Sequence, residues 1–82
     1  MKLTKEQVMK AVDTYRELFG LPKKYKYAAV DSDGYINVYT KEPEITYFLS
    51  NAWCGGEGYI EWRCIIQTTK PVSNWQELCF KI

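Results

Sequence analysis

The sequence predicts an α+β domain: one N-terminal α-helix packed on one face of a three- to four-stranded antiparallel β-sheet, closed by a short C-terminal helix or turn. Three observations carry this. A capping box opens a helical apolar stripe near the N-terminus, an Asp-Ser-Asp-Gly turn joins two β-rich runs, and 82 residues suffice for one modest core. A domain of this size has a net stability of about 4 to 12 kcal/mol.

The helix is the most legible element. Thr4 and Gln7 form the capping box, and Leu3 with Val8 forms a hydrophobic staple. Val8, Ala11, Val12, Tyr15, Leu18 and Phe19 then recur at helical spacing and predict one buried stripe, with Lys5, Glu6, Lys10, Asp13 and Glu17 around the rest of the cylinder. Gly20 and Pro22 stop the helix, which is expected over about residues 5 to 19.

Lys23-Lys24-Tyr25-Lys26-Tyr27 follows, a basic stretch interleaved with aromatics. Such a pattern serves stacking and phosphate contact, but three lysines more commonly make a solvated connector. Tyr27 to Val30 and Tyr35 to Thr40 are strand-like, and Asp31-Ser32-Asp33-Gly34 between them is hairpin chemistry. Ile36 and Val38 should face the helix, leaving Tyr35, Asn37 and Tyr39 on the other side. Pro43 ends that strand.

Ile45 to Trp53 and Tyr59 to Thr68 form a second strand pair around the glycine-rich Cys54-Gly55-Gly56-Glu57-Gly58. In the later run, alternation assigns Ile60, Trp62, Cys64 and Ile66 to the core. Ser73 and Gln76 repeat the capping-box spacing before Trp75, Leu78 and Phe80, so a terminal helix or turn pinned by Trp75 is expected. No internal repeat or linker interrupts residues 1–82, which read as a single domain.

The absence of histidine removes Ser-His and Cys-His pairs, the commonest neutral-pH base and every imidazole-bearing zinc site. A non-enzyme without a cofactor is therefore expected. Cys54, Cys64 and Cys79 lie ten and fifteen residues apart with no close pair, which disfavours zinc and fits free thiols in a reducing compartment. Cys64 and Cys79 read as core thiols and Cys54 as exposed; an enzyme using Cys54 or a carboxylate as nucleophile stays a minor alternative. The Asp31-to-Glu42 spacing mimics a calcium loop but puts Tyr35 and Ile36 where an oxygen ligand and a glycine belong, so no metal is expected. The Gly55–Gly58 loop lacks the lysine-serine of a phosphate loop, and the pairs Glu42 with Glu44 and Glu57 with Glu61 read as solvated acids.

The net charge of +1 conceals a pattern: residues 1–26 carry +4, 27–61 carry −5, and the remainder +2. That argues against nucleic acid, whose binders need a basic excess along one face. No run reaches the roughly 18 apolar residues of a membrane span, and no apolar leader follows Lys2, so a soluble, non-secreted protein is expected. Thirteen aromatic residues exceed what one sheet face and one helix enclose. Tyr35, Tyr39, Tyr47 and Tyr59 are candidates for an uncovered face, either as an interface or as cross-strand packing.

The run Tyr27 to Tyr39 with its Asp31-Ser32-Asp33-Gly34 turn, then Pro43, Trp53 and the ending Asn74-Trp75-Gln76-Glu77-Leu78, resembles small uncharacterised accessory proteins of tailed bacteriophages. Glu77 stands where serine is common in that family. The resemblance implies a protein of the bacterial cytoplasm that binds and inhibits a host protein, one form being inhibition of a defence system; it transfers no site residue. The expected contact surface is the aromatic face with the acidic ridge: Asp31, Asp33, Tyr35, Tyr39, Glu42 and Glu44. The alternative function is nucleotide binding between protomers through Lys23, Lys24, Lys26 or the loop at Gly56, and an uncovered sheet edge offers a route to a homodimer.

Overall fold

The computed structural model describes residues 1–45, 53–54 and 60–82. Helix α1 spans Lys5–Phe19. Strands β1 (Tyr27–Val30), β2 (Tyr35–Tyr39), β5 (Trp62–Gln67) and β6 (Cys79–Lys81) form an antiparallel sheet in the order β5-β2-β1-β6. β3 (Glu44–Ile45) and β4 (Trp53–Cys54) pair as a separate two-stranded ribbon, and a 3-10 turn covers Trp75–Glu77. The expected helix on an antiparallel sheet is the architecture observed.

Local chemistry starts α1 as the sequence dictates. The Gln7 amide donates to Thr4 Oγ1 and the Thr4 amide to Gln7 Oε1, at 3.1 and 2.8 Å, the reciprocal capping box. At the other end Gly20, at φ 76°, donates its amide to Arg16 O. Val8 and Val12 are fully buried against Ala28, Val30, Ile36 and Val38 of the central hairpin, so the aliphatic face of β2 does meet the helix. Burying a valine contributes about 1.5 kcal/mol or more. The predicted stripe is too wide at its C-terminal end, however: Leu18 is 69% exposed and Phe19 73%.

The β1–β2 turn is closed by the Gly34 amide on Asp31 O and the Asp31 amide on Tyr35 O, both at 2.9 Å. Register then runs from Val30 opposite Ile36 to Tyr27 opposite Tyr39. On the outer side of β2, β5 pairs from Trp62 opposite Tyr39 to Gln67 opposite Tyr35, with an irregularity between Ile36 and Asn37. Ile36 faces Ile66 while Asn37 faces Cys64, so Ile65 is the extra residue of a β-bulge. Because a one-residue shift moves side chains to the other face, simple alternation fails here. The core assignment of Trp62, Cys64 and Ile66 is overturned: Trp62 is 61% exposed, Ile66 51% and Cys64 also exposed, while Arg63 and Ile65 are the half-buried residues.

The C-terminus departs from expectation as well. Ser73 caps no helix; its hydroxyl donates to Met1 O, and the short turn begins at Asn74 without a side-chain cap. Asn74 instead clamps the chain ends together, accepting from the Leu3 amide at 3.0 Å and donating to Leu3 O at 2.7 Å. The chain then returns as β6, an unanticipated strand pairing Cys79, Phe80 and Lys81 with Ala29, Ala28 and Tyr27. Three residues give too short a pattern to read as a strand; only the open edge of β1 selects one.

Gly34 has a positive φ of 92°, and a Cβ there would collide with Thr68 Oγ1 and meet Lys70 O at 2.9 Å. Gly34→Ala combines an unfavourable backbone region with that overlap, so it is expected to lower stability by about 1 to 3 kcal/mol. Urea unfolding checks this: the midpoint should fall with little change in slope.

Candidate functional site

Two regions gather the residues with chemical or binding potential. The first is the turn side of the hairpin. Asp31 lies half-buried, and its carboxylate accepts the Trp53 amide at 3.0 Å and Asn37 Nδ2 at 3.2 Å. It thereby ties the β3–β4 ribbon to the main sheet. Trp53 adds an indole N–H to Trp75 O at 3.4 Å and an edge-on ring contact with Trp75, centroids 6.3 Å apart at 84°.

This side of the sheet is not the open aromatic face that counting rings suggests. Tyr39 is only 3% exposed, and Ala29 and Asn37 are buried beside it. Tyr39 is thereby removed from the expected contact surface. Asp33, Tyr35, Glu42 and Glu44 do remain exposed, with Asp33 accepting the Tyr35 amide at 3.3 Å. Asp31 is committed to internal bonds. Tyr47, Tyr59 and Gly56 lie outside the described residues, as does the side chain of Cys54.

The electrostatics of the Asp31 node follow from burial. Desolvation raises the Asp31 carboxyl above its ordinary value, against the Trp53 amide bond that lowers it; nearby Asp33 raises it further and the Asn37 bond lowers it. Asn37 Oδ1 is buried with no hydrogen-bond partner. Asn37 turns its amino group to Asp31 Oδ2, and its carbonyl oxygen points the other way. Burial, with Asp31 and Asp33 nearby, pushes the exposed Cys64 thiol up, and burial with Glu42 pushes half-buried Cys79 to about 11. Neither thiol is the low-pKa nucleophile that covalent chemistry requires. The expectation of two core thiols is corrected for Cys64, which stands on the open side of β5.

The lysine region is dispersed. Lys24 pairs with Glu61 and sits 5.6 Å from the Tyr25 ring centroid, while Arg63 lies 5.3 Å over the same ring. Lys23 and Lys26 are exposed. The aromatic of this stretch, Tyr25, is a buried core residue. No group of three or more metal-ligating side chains occurs among the described residues.

The second region was not singled out by sequence. Ala11, Tyr15, Leu18 and Phe19 of α1 and Ile65 and Ile66 of β5 line a groove of about 370 Å³. Tyr15 and Phe19 pack with centroids 5.1 Å apart, holding the Phe19 ring at the rim. On the opposite face of the same strand Trp62 stands exposed. The signal was present in the helical stripe, which continues past the last buried position, but periodicity alone does not separate core from interface.

The arrangement defines a small α+β protein with an open apolar flank. No helix of the described residues is long and apolar enough to cross a membrane. Comparison with family models, curated proteins and solved structures finds no match to this chain.

The raised pKa of Asp31 fixes the sign of a pH effect. The folded state holds this proton more tightly than the unfolded chain, so the contribution is complete below about pH 3.9 and is lost as pH rises through the raised folded value. Asp31→Asn keeps an acceptor for the Trp53 amide and removes the titrating group. Its stability relative to the wild type is expected to improve as pH rises from 4 to 7, measured by urea midpoints across that range.

Proposed function

We propose that this protein acts by binding another protein and not by catalysing a reaction. In the bacterial setting that the phage resemblance implies, the bound protein is a host factor and binding inhibits it. The observation that carries the reading is the apolar flank: Leu18, Phe19 and Ile66, each at least half exposed, border one groove. A contiguous apolar patch of roughly 300 to 600 Å² on a monomer is commonly functional. Leaving it in water forfeits about 25 cal/mol for each Å² that a partner would cover.

The acidic surface of Asp33, Glu42 and Glu44, with Tyr35 beside it, supplies charge for partner selection. Exposed charges of one sign steer encounter and reject like-charged surfaces more than they add affinity. The apolar flank supplies binding energy and the acids supply choice.

Affinity capture from bacterial lysate tests this with three proteins: wild type, Leu18→Glu/Phe19→Glu, and Asp33→Lys/Glu42→Lys/Glu44→Lys. All the substituted side chains are exposed, so folding should survive and circular dichroism checks it. The expected result is one protein enriched by the wild type, lost with the apolar double variant, and retained with altered salt dependence by the charge-reversal variant. Enrichment of nothing, or equal capture by the apolar double variant, overturns the reading.

A further inference from the structure

The α1 wall of the apolar groove is built of two rows that step by four residues, Gln7-Ala11-Tyr15-Phe19 and Lys10-Thr14-Leu18. Rows of this kind receive the side chains of a second helix, ridge into groove, and here they run for about 18 Å. We propose that what the bound protein seats in this groove is an amphipathic α-helix, with its apolar stripe on Leu18, Phe19 and Ile66 and an acidic side chain toward Lys10. The proposal rests on the reading of the flank as a protein-contact surface and names the chemistry of the segment that contacts it.

The β5 wall favours a helix over an added strand. Neighbouring residues of a regular strand point to opposite faces, yet Ile65 and Ile66 both line the groove, because the bulge at Ile65 sets two successive residues against one on β2. The same bulge breaks the strand edge. Glu61 O accepts the Thr40 amide and the Thr68 amide donates to Gly34 O, so by alternation from each end β5 bonds inward to β2 at Arg63 and at Ile66. The main-chain groups that face outward in step are those of Trp62 and Cys64 before the bulge and Gln67 after it, and the step from Cys64 to Gln67 is three residues where a ladder needs two. A strand laid on this edge loses its register within a few residues, which is how bulges protect edges. A helix satisfies its own backbone and asks the groove only for apolar contact.

Charge selects the border of the incoming stripe. Among the described residues Lys10 is the one charged residue lining the groove; it is exposed, and neither of the ion pairs found among them involves it. The α1 acids Glu6, Asp13 and Glu17 line a neighbouring cleft that Lys10 also borders, and none of them lines the groove itself. An Asp or Glu beside the stripe therefore gains a cation and meets no like charge in the groove. Such an exposed pair adds little affinity and mainly fixes choice and orientation. Lys10 stands about 12 Å along α1 from Leu18, which places the acid about two helical turns from the side chain that meets Leu18.

The test is a yeast-displayed library of random peptides of about 16 residues, long enough to span the groove as a helix, selected on the full wild-type chain and counter-selected on Leu18→Glu/Phe19→Glu. Enriched sequences are expected to repeat apolar residues at i, i+3, i+4 and i+7 and to carry Asp or Glu beside that stripe. A synthetic copy of the most enriched one should gain helical circular dichroism on mixing with the wild type, because so short a helix is marginal alone in water. It should bind the apolar double variant roughly tenfold or more weakly, as for loss of interface anchors. Repeating the selection on Lys10→Glu should replace the acids with Lys or Arg. Enrichment of nothing, apolar residues alternating with a period of two, an acidic bias that persists on Lys10→Glu, or a wild type that sediments as a dimer through Leu18 and Phe19 overturns the proposal. If the library yields no such helix while the apolar variant still loses its captured lysate protein, the helix alone falls; if that variant captures as the wild type does, the flank reading falls with it.

Discussion

The turn that begins at Asp31 is the point on which the rest of the molecule depends. Its main chain closes the β1–β2 hairpin through Gly34 and Tyr35, and its carboxylate holds the Trp53 amide and the Asn37 side chain. The outer strands are hung from that hairpin, β5 on β2 and β6 on β1. The following residues are fastened to the same turn: Thr68 donates its amide to Gly34 O and Val72 to Ser32 O, both at 2.9 Å. A four-residue turn thus sets the register of the central strands and the path by which the C-terminal segment returns.

That junction carries a cost which explains its electrostatics. A carboxylate half out of water is unfavourable unless its acceptors are filled, and Asp31 has two donors to offset the loss. Its carboxyl is nonetheless held above the ordinary value, with burial the largest cause. The node ties the ribbon to the hairpin, and Asp33, Glu42 and Glu44 stay exposed. The acidic residues Asp33, Glu42 and Glu44 and the apolar groove of α1 and β5 thus differ in chemistry.

The helix and the hairpin were legible because their signals are local. Thr4 and Gln7 lie within one turn of chain, and Asp31 to Gly34 is a single β-turn, so neither needs a distant partner to be recognised. The alternation of Ile36 and Val38 was read correctly for the same reason. Strand β5 was read inside out because a bulge at Ile65 breaks the period of two, and bulges leave no residue signature that periodicity detects. The candidate contact residues divide in the same way: Asp33, Tyr35, Glu42 and Glu44 are exposed as expected, whereas the exposure of Tyr39 depended on what packs over β2.

The sequence by itself determined the first helix, the central hairpin, the exclusion of histidine chemistry and the segregation of charge, because composition and short-range hydrogen bonding suffice for each. Tertiary structure decided which apolar residues are core and which are surface. Leu18 and Phe19 belong to the same helical stripe as Val8 and Val12, yet they border an open groove with Ile65 and Ile66 of the edge strand β5 and stay exposed. Burial is a property of what lies opposite a side chain, and β5 and β6 are placed by pairings that join residues far apart in the chain. The apolar flank exists because the stripe continues to Leu18 and Phe19, beyond Val8 and Val12, the helix positions that the core buries.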